Sequence, residues 1–151
     1  MDRDRPAGFL RRVFALALDC LLIQSALAFL TMIAFAAVHE GARASGIPNP
    51  SDESVDRVLM WLVVLWLLLP VFYFTFFISF GGQTPAKRIA KIQVIPIRRT
   101  DRISPVCALI RTLAYWISAA SLGIGFFWIF LNRDRRALHD LIAGTRVIRR
   151  A

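Results

Sequence analysis

Asp19 is the only charged residue in an apolar run that extends from Val13 to Val38. If a helix begins near Phe9, Asp19 lies roughly 15 Å along it, close to the middle of a bilayer. A carboxylate at that depth costs on the order of 2.5–3.5 kcal/mol and is expected to face protein or water. Arg12 stands seven residues earlier on the same helical face, roughly 10 Å away along the axis. Direct pairing needs both side chains to reach; a bridging water or a second cation such as Arg111 eases it. Two readings stay open at this point. One is a structural charge pair that fixes helix packing; the other is a proton or cation site, the default for an intramembrane carboxylate.

Two further stretches carry polar groups beside apolar ones. GGQTPAKR (81–88) offers Gly82, Gln83, Thr84 and Lys87. Its spacing is not that of a phosphate-binding loop. Gly81 and Gly82 break a preceding helix, and Thr84-Pro85 predicts an N-cap with proline at the first helical position. The expected role is an interfacial turn that Lys87 and Arg88 anchor to anionic lipid. RRALHDLIAGT (135–145) holds His139 and Asp140. Ala137, Leu138, Leu141 and Ile142 predict one face of a short helix lying on the membrane, closed by Gly144. His139 and Asp140 are adjacent, so they are expected to point apart and not to form a metal pair. Asp140 is expected to bind an arginine or to cap backbone N–H groups. With neither an activated nucleophile nor a metal cluster in view, no enzyme, cofactor or metal is expected.

The elements that must position these groups follow from the apolar runs. The chain has 151 residues, 57% of them hydrophobic, a composition suited to one membrane domain over 1–151. Three runs, 13–38, 58–80 and 112–131, are each long enough to span a bilayer. They predict helices over about 9–38, 58–80 and 106–131. The first run exceeds the apolar core of a signal peptide and holds an aspartate, so it reads as a retained helix. Cys20 and Cys107 lie in or beside these runs and read as buried thiols.

The net charge is +9, and the basic residues flank the apolar runs, which favours loops of a membrane protein over nucleic-acid binding. Residues 1–12 carry +2, the loop 39–57 carries −2, 81–111 carry +6 and 132–151 carry +4. Lysine and arginine stay cytoplasmic, which puts the N-terminus and the basic loop 81–105 inside and 39–57 outside. Three full spans would then carry the basic tail 132–151 outside, against the same rule. Either the rule fails at a plain third helix whose glycines serve packing, or the run is a re-entrant helical pair with SLGIG (121–125) as its break; the charge count favours the re-entrant form. Two short β-branched segments point the same way. AKIQVIPI (90–97) and TRVIRR (145–150) read as strands, and pairing about 92–97 with 145–149 on the cytoplasmic face satisfies both backbones. Pro96 is confined to an edge of that pair.

AGFLRRVFALALD (7–19), GGQTPAKRIAKIQVI (81–95), Arg111 and RRALHDLIAGTRVI (135–148) together resemble the RDD family of small bacterial membrane proteins. The likeness covers nearly the whole chain, in order, and the combined pattern is specific. The arginine and two aspartates that give the family its name match Arg12, Asp19 and Asp140. Ala86 departs from the family pattern, which has glycine there. The resemblance implies a multi-pass protein of the bacterial inner membrane, with some members associated with exchange of monovalent cations for protons. Two functions are therefore expected. The first is an oligomeric cation/proton exchanger built on Asp19. The second is a scaffold or assembly subunit for other membrane proteins, in which the charges are structural pairs.

Overall fold

A computed structural model of the chain describes residues 6–47, 49–97, 103–120, 128 and 136–150. In order these form α1 (Phe9–Ala44), α2 (Asp52–Gly81), α3 (Pro85–Ile89), β1 (Ile92–Pro96), α4 (Pro105–Ala120), α5 (Leu138–Ile142) and β2 (Thr145–Arg149). The protein is mostly helical, as its three apolar runs imply. Two compact units are distinguished: Met1–Asp19 with Val71–Ala151, and Cys20–Pro70.

The second unit holds the larger parts of the two long helices. Both α1 and α2 are long and apolar enough to cross a membrane. At 36 residues α1 extends about 54 Å, well beyond the ~30 Å hydrocarbon thickness. Its large apolar side chains, among them Phe29, Met32, Trp61, Val63 and Leu68 of the two helices, are exposed, as lipid contact requires. Both helices outrun their apolar segments, since α1 continues to Ala44 and α2 begins at Asp52. Capping and surface ion pairs set those ends. Glu40 and Arg43 meet at 2.8 Å on α1, and Glu53 and Arg57 at 2.6 Å on α2. Asp52 and Glu53 also sit in the first turn of α2, where negative charge suits the helix dipole.

The first unit is built around the strand pair. β1 and β2 run antiparallel with Val94 opposite Val147 and Pro96 opposite Thr145. This is the expected pairing, one residue shorter on β1; Ile97 still donates its N–H to the Gly144 carbonyl at 3.0 Å. Ile92, Val94, Thr145 and Val147 face inward. A two-stranded sheet has two open edges, and both are closed by backbone. The Val94 N–H donates to the Gly82 carbonyl at 2.8 Å, and the Ala7 N–H donates to the Val147 carbonyl at 3.0 Å. The residues preceding α1, the turn following α2 and the C-terminal strand therefore form one hydrogen-bonded layer.

Short caps end the connecting elements. The Thr84 hydroxyl accepts from the Lys87 N–H at 3.2 Å with Pro85 opening α3, as expected. Ser104 does the same for α4, accepting from the Cys107 N–H at 3.2 Å. α4 is 16 residues long and takes in the start of the third apolar run, 112–120; SLGIG and the expected re-entrant break lie outside the described residues.

Gly82 is the tightest point in this layer. Its φ is +65°, and a Cβ there would stand 2.3 Å from the Val94 carbonyl oxygen, an atom of backbone that cannot swing aside. Gly81 has ordinary φ and open space around it. We expect Gly82→Ala to lose about 1–2 kcal/mol from the left-handed conformation alone, with the clash adding to it. Gly81→Ala is expected to be neutral or to gain up to about 1 kcal/mol. Thermal unfolding of the two variants in detergent checks the contrast.

Candidate functional site

The interior of the first unit mixes apolar side chains such as Phe74, Ile78, Ile92 and Val94 with buried polar and charged ones. α5 supplies two of the latter. Its buried side chains are His139 and Asp140, with Ala137 just before them, whereas Ile142 is exposed. Of the apolar face expected to lie on the membrane, Ile142 is exposed, Leu138 and Leu141 are half-buried and Ala137 is buried. His139 and Asp140 do not point apart as adjacency suggested; the His139 Nε2 lies 3.5 Å from Asp140 Oδ1.

Asp140 is fully buried and held between two guanidiniums. Arg12 Nη1 of α1 stands 2.7 Å from its Oδ2, and Arg111 Nη2 of α4 stands 2.7 Å from its Oδ1. The first is an aligned hydrogen bond; the second is a close ionic contact without that alignment. The Ala137 N–H adds a long bond to Oδ2 at 3.4 Å. Burial works against the Asp140 charge, but Arg111 above all, then its other charged neighbours and the Ala137 N–H, hold the carboxyl below the usual carboxylate range. Each arginine is tied further. Arg12 donates to the Ala7 and Val147 carbonyls at 3.1 and 3.3 Å. Arg111 donates to the Thr145 hydroxyl and, at 3.4 Å, to the Tyr115 hydroxyl.

Asp19 is equally buried but differently held. Its Oδ1 accepts from the Tyr73 hydroxyl at 2.7 Å and from the Ala86 N–H at 3.3 Å. Its Oδ2 accepts from the Thr84 hydroxyl at 2.5 Å. Among the described residues no lysine or arginine forms an ion pair with it. Arg12 therefore pairs with Asp140, not with the aspartate on its own face of α1. The Cβ of Ala86 is accommodated, fully buried, and does not prevent the backbone from reaching Asp19.

The GGQT turn serves this site from the inside. Gln83 is buried and donates to the Ile92 carbonyl at 3.0 Å. Lys87, expected as a lipid anchor, is buried instead, because α3 turns it inward, while Arg88 faces out. The Lys87 Nζ has no hydrogen-bond partner and lies 5.6 Å from the Phe74 ring centre and 5.9 Å from that of Tyr115. Such contacts are worth about 0.5–2 kcal/mol. Burying an ammonium costs several kcal/mol, so the rings offset only part of it.

Tyr73 and Tyr115 were not singled out from sequence, although a signal existed. They are the only two tyrosines, both inside or beside apolar runs. A buried phenol needs a hydrogen-bond partner, and these two find Asp19 and Arg111.

Two long lipid-compatible helices joined to a polar-lined, charge-clamped layer define a helical membrane protein. The chain belongs to the RDD family, whose model matches residues 6–144. Neither a curated relative nor a solved structure matched the chain. Of the residues corresponding to the family's arginine and two aspartates, Arg12 and Asp140 meet directly, while Asp19 heads a separate set of hydroxyl donors.

His139 gives the cluster a measurable pH signature. Burial first, then Arg111, lowers its pKa to about 3, so it stays neutral at every physiological pH. Its unfolded value is near 6.5. Between these values the unfolded chain binds a proton that the folded chain refuses, and stability falls as pH drops below 6.5. The slope is about 1.4 kcal/mol per pH unit. Unfolding followed from pH 6.5 to 5 should show this loss, and His139→Gln should remove that component of the slope whatever its absolute stability.

Proposed function

We propose that the protein is a monovalent cation/proton exchanger of the bacterial inner membrane, assembled from several copies, with Asp19 as its ion-binding carboxylate. The observation that carries this reading is the way Asp19 is held. It is a fully buried carboxylate satisfied by two hydroxyls and one N–H, with no paired cation among the described residues. Carboxylate, Thr84 Oγ1 and Tyr73 Oη are hard oxygen ligands of the kind that suit a small alkali cation. A proton on Asp19 and a cation among these oxygens compete for the same lone pairs, which is the chemistry of exchange. Asp140, by contrast, is committed to Arg12 and Arg111 and serves to hold the layer around the site.

The same reading places the N-terminus, the turn after α2 and the C-terminal tail on the cytoplasmic face. Ala7 and β1 both bond to β2, so the three lie on one side. The chain from β1 to β2 then crosses the bilayer an even number of times or not at all, which fits the arginine-rich tail and disfavours a single third span.

A second reading, a non-transporting scaffold, is favoured by one observation. The Arg12–Asp140–Arg111 cluster reads as structural on its own terms. Reconstitution into liposomes separates the two. We expect proton movement driven by a sodium, potassium or lithium gradient, abolished by Asp19→Asn and weakened by Tyr73→Phe through poorer cation affinity. Absence of flux from folded, inserted protein would move the weight to the scaffold.

A further inference from the structure

A cavity of about 40 Å³ lies inside the first unit, separate from the donors that hold Asp19. Its polar walls are Arg12, Lys87, Arg111, Tyr115 and His139; the rest of its lining is largely apolar. Two of these cations have donors with nothing to donate to. Lys87 is 4% exposed and its Nζ is unbonded; Arg111 is 0% exposed and its Nε is unbonded, although its other nitrogens are engaged. A buried ammonium whose donors are unmet is a driving force for taking up an acceptor, and a negatively charged one best.

We propose that this cavity binds a small monovalent anion of the halide class, with Lys87 as its main partner and Arg111 as the second. Size favours that class. At about 10–15 Å³ per water the space holds a monatomic anion with a water or two, and it is a poor fit for a phosphoryl group with its four oxygens. The mixed wall suits a weakly hydrated ion, since the apolar side chains do not compete for it while the two cations do. Lys87 already has its ammonium over the faces of Phe74 and Tyr115, which favour a cation and leave its donors unspent. The site carries no role in the exchange chemistry proposed for Asp19, so the two readings stand or fall separately.

The test uses the full chain in a neutral detergent, dialysed into gluconate, whose anion is too large for the cavity. Chloride and bromide are titrated at constant ionic strength while thermal unfolding is followed. The expected result is a midpoint that rises with the logarithm of halide concentration above the dissociation constant, by roughly 3–6 °C at a tenfold excess over it. Lys87→Met keeps the apolar stem and removes the charge. It is expected to lose the halide response and to be at least as stable as the parent in gluconate. A parent that shows no halide response overturns the proposal, as does a Lys87→Met variant that responds equally. Inorganic phosphate or phosphatidylglycerol vesicles that protect when halide does not would also overturn it, by reassigning the site to phosphoryl groups. If Lys87→Met does not fold, chloride NMR line broadening on the parent decides. Broadening that excess bromide reverses supports the site, and its absence contradicts it.

Discussion

The carboxylate of Asp140, clamped between Arg12 and Arg111, is the interaction on which the rest of the first unit depends. It joins residues 128 positions apart and draws α1, α4 and α5 to one point. A buried carboxylate alone would be prohibitive, and either arginine alone would be as well. Together they form a set whose members each cost several kcal/mol to orphan. Arg12 then extends the clamp to the Ala7 and Val147 carbonyls, and Arg111 extends it to Thr145. The strand pair sits on this clamp rather than on a large apolar core.

That dependence explains why so many polar groups lie inside. In a lipid environment apolar side chains gain little by turning inward, so association has to come from polar contacts, close packing and satisfied backbone. Hydroxyls, guanidiniums and carboxylates share the interior with Phe74, Ile78, Ile92 and Val94, while Phe72, Phe80, Leu113 and Ile117 are exposed. Its two buried carboxylates are given different surroundings. Asp140 is fixed by full positive charges and has little freedom to change state. Asp19 is held by hydroxyl and amide donors that can rotate or exchange partners, a setting in which a proton or a cation could be accepted without dismantling the layer.

Much of this organisation was legible in the sequence, and the failures share a cause. Long apolar runs identified α1 and α2 because membrane solvent imposes a simple length rule. The β1–β2 pair was legible because β-branched segments beside a membrane cannot leave their backbones unpaired. Helix ends were missed at Ala44 and Asp52, since apolar content marks the hydrocarbon segment whereas caps and ion pairs mark the helix. The Arg12 partner was open for a similar reason. Spacing along one helix places Arg12 and Asp19 on a common face, but which group answers each is decided by residues from α2, α3, α4 and α5. Lys87 was misread because a surface role was assumed for a charged residue on a short helix, and His139 and Asp140 because adjacency was taken to mean divergence. The arginine expected as the partner of Asp140 is there, as is the capped backbone N–H.

The division of labour between the two aspartates is the central claim, and relative stability measures it most directly. Asp140→Asn and Asp19→Asn should be compared by equilibrium unfolding in the same detergent. The account predicts a loss of about 3–5 kcal/mol for Asp140→Asn, which leaves two buried guanidiniums without their anion. It predicts about 1–2 kcal/mol for Asp19→Asn, whose amide oxygen can still accept from one hydroxyl while its NH2 donates to the other. Comparable losses in the two variants, or a larger one at Asp19, would contradict it.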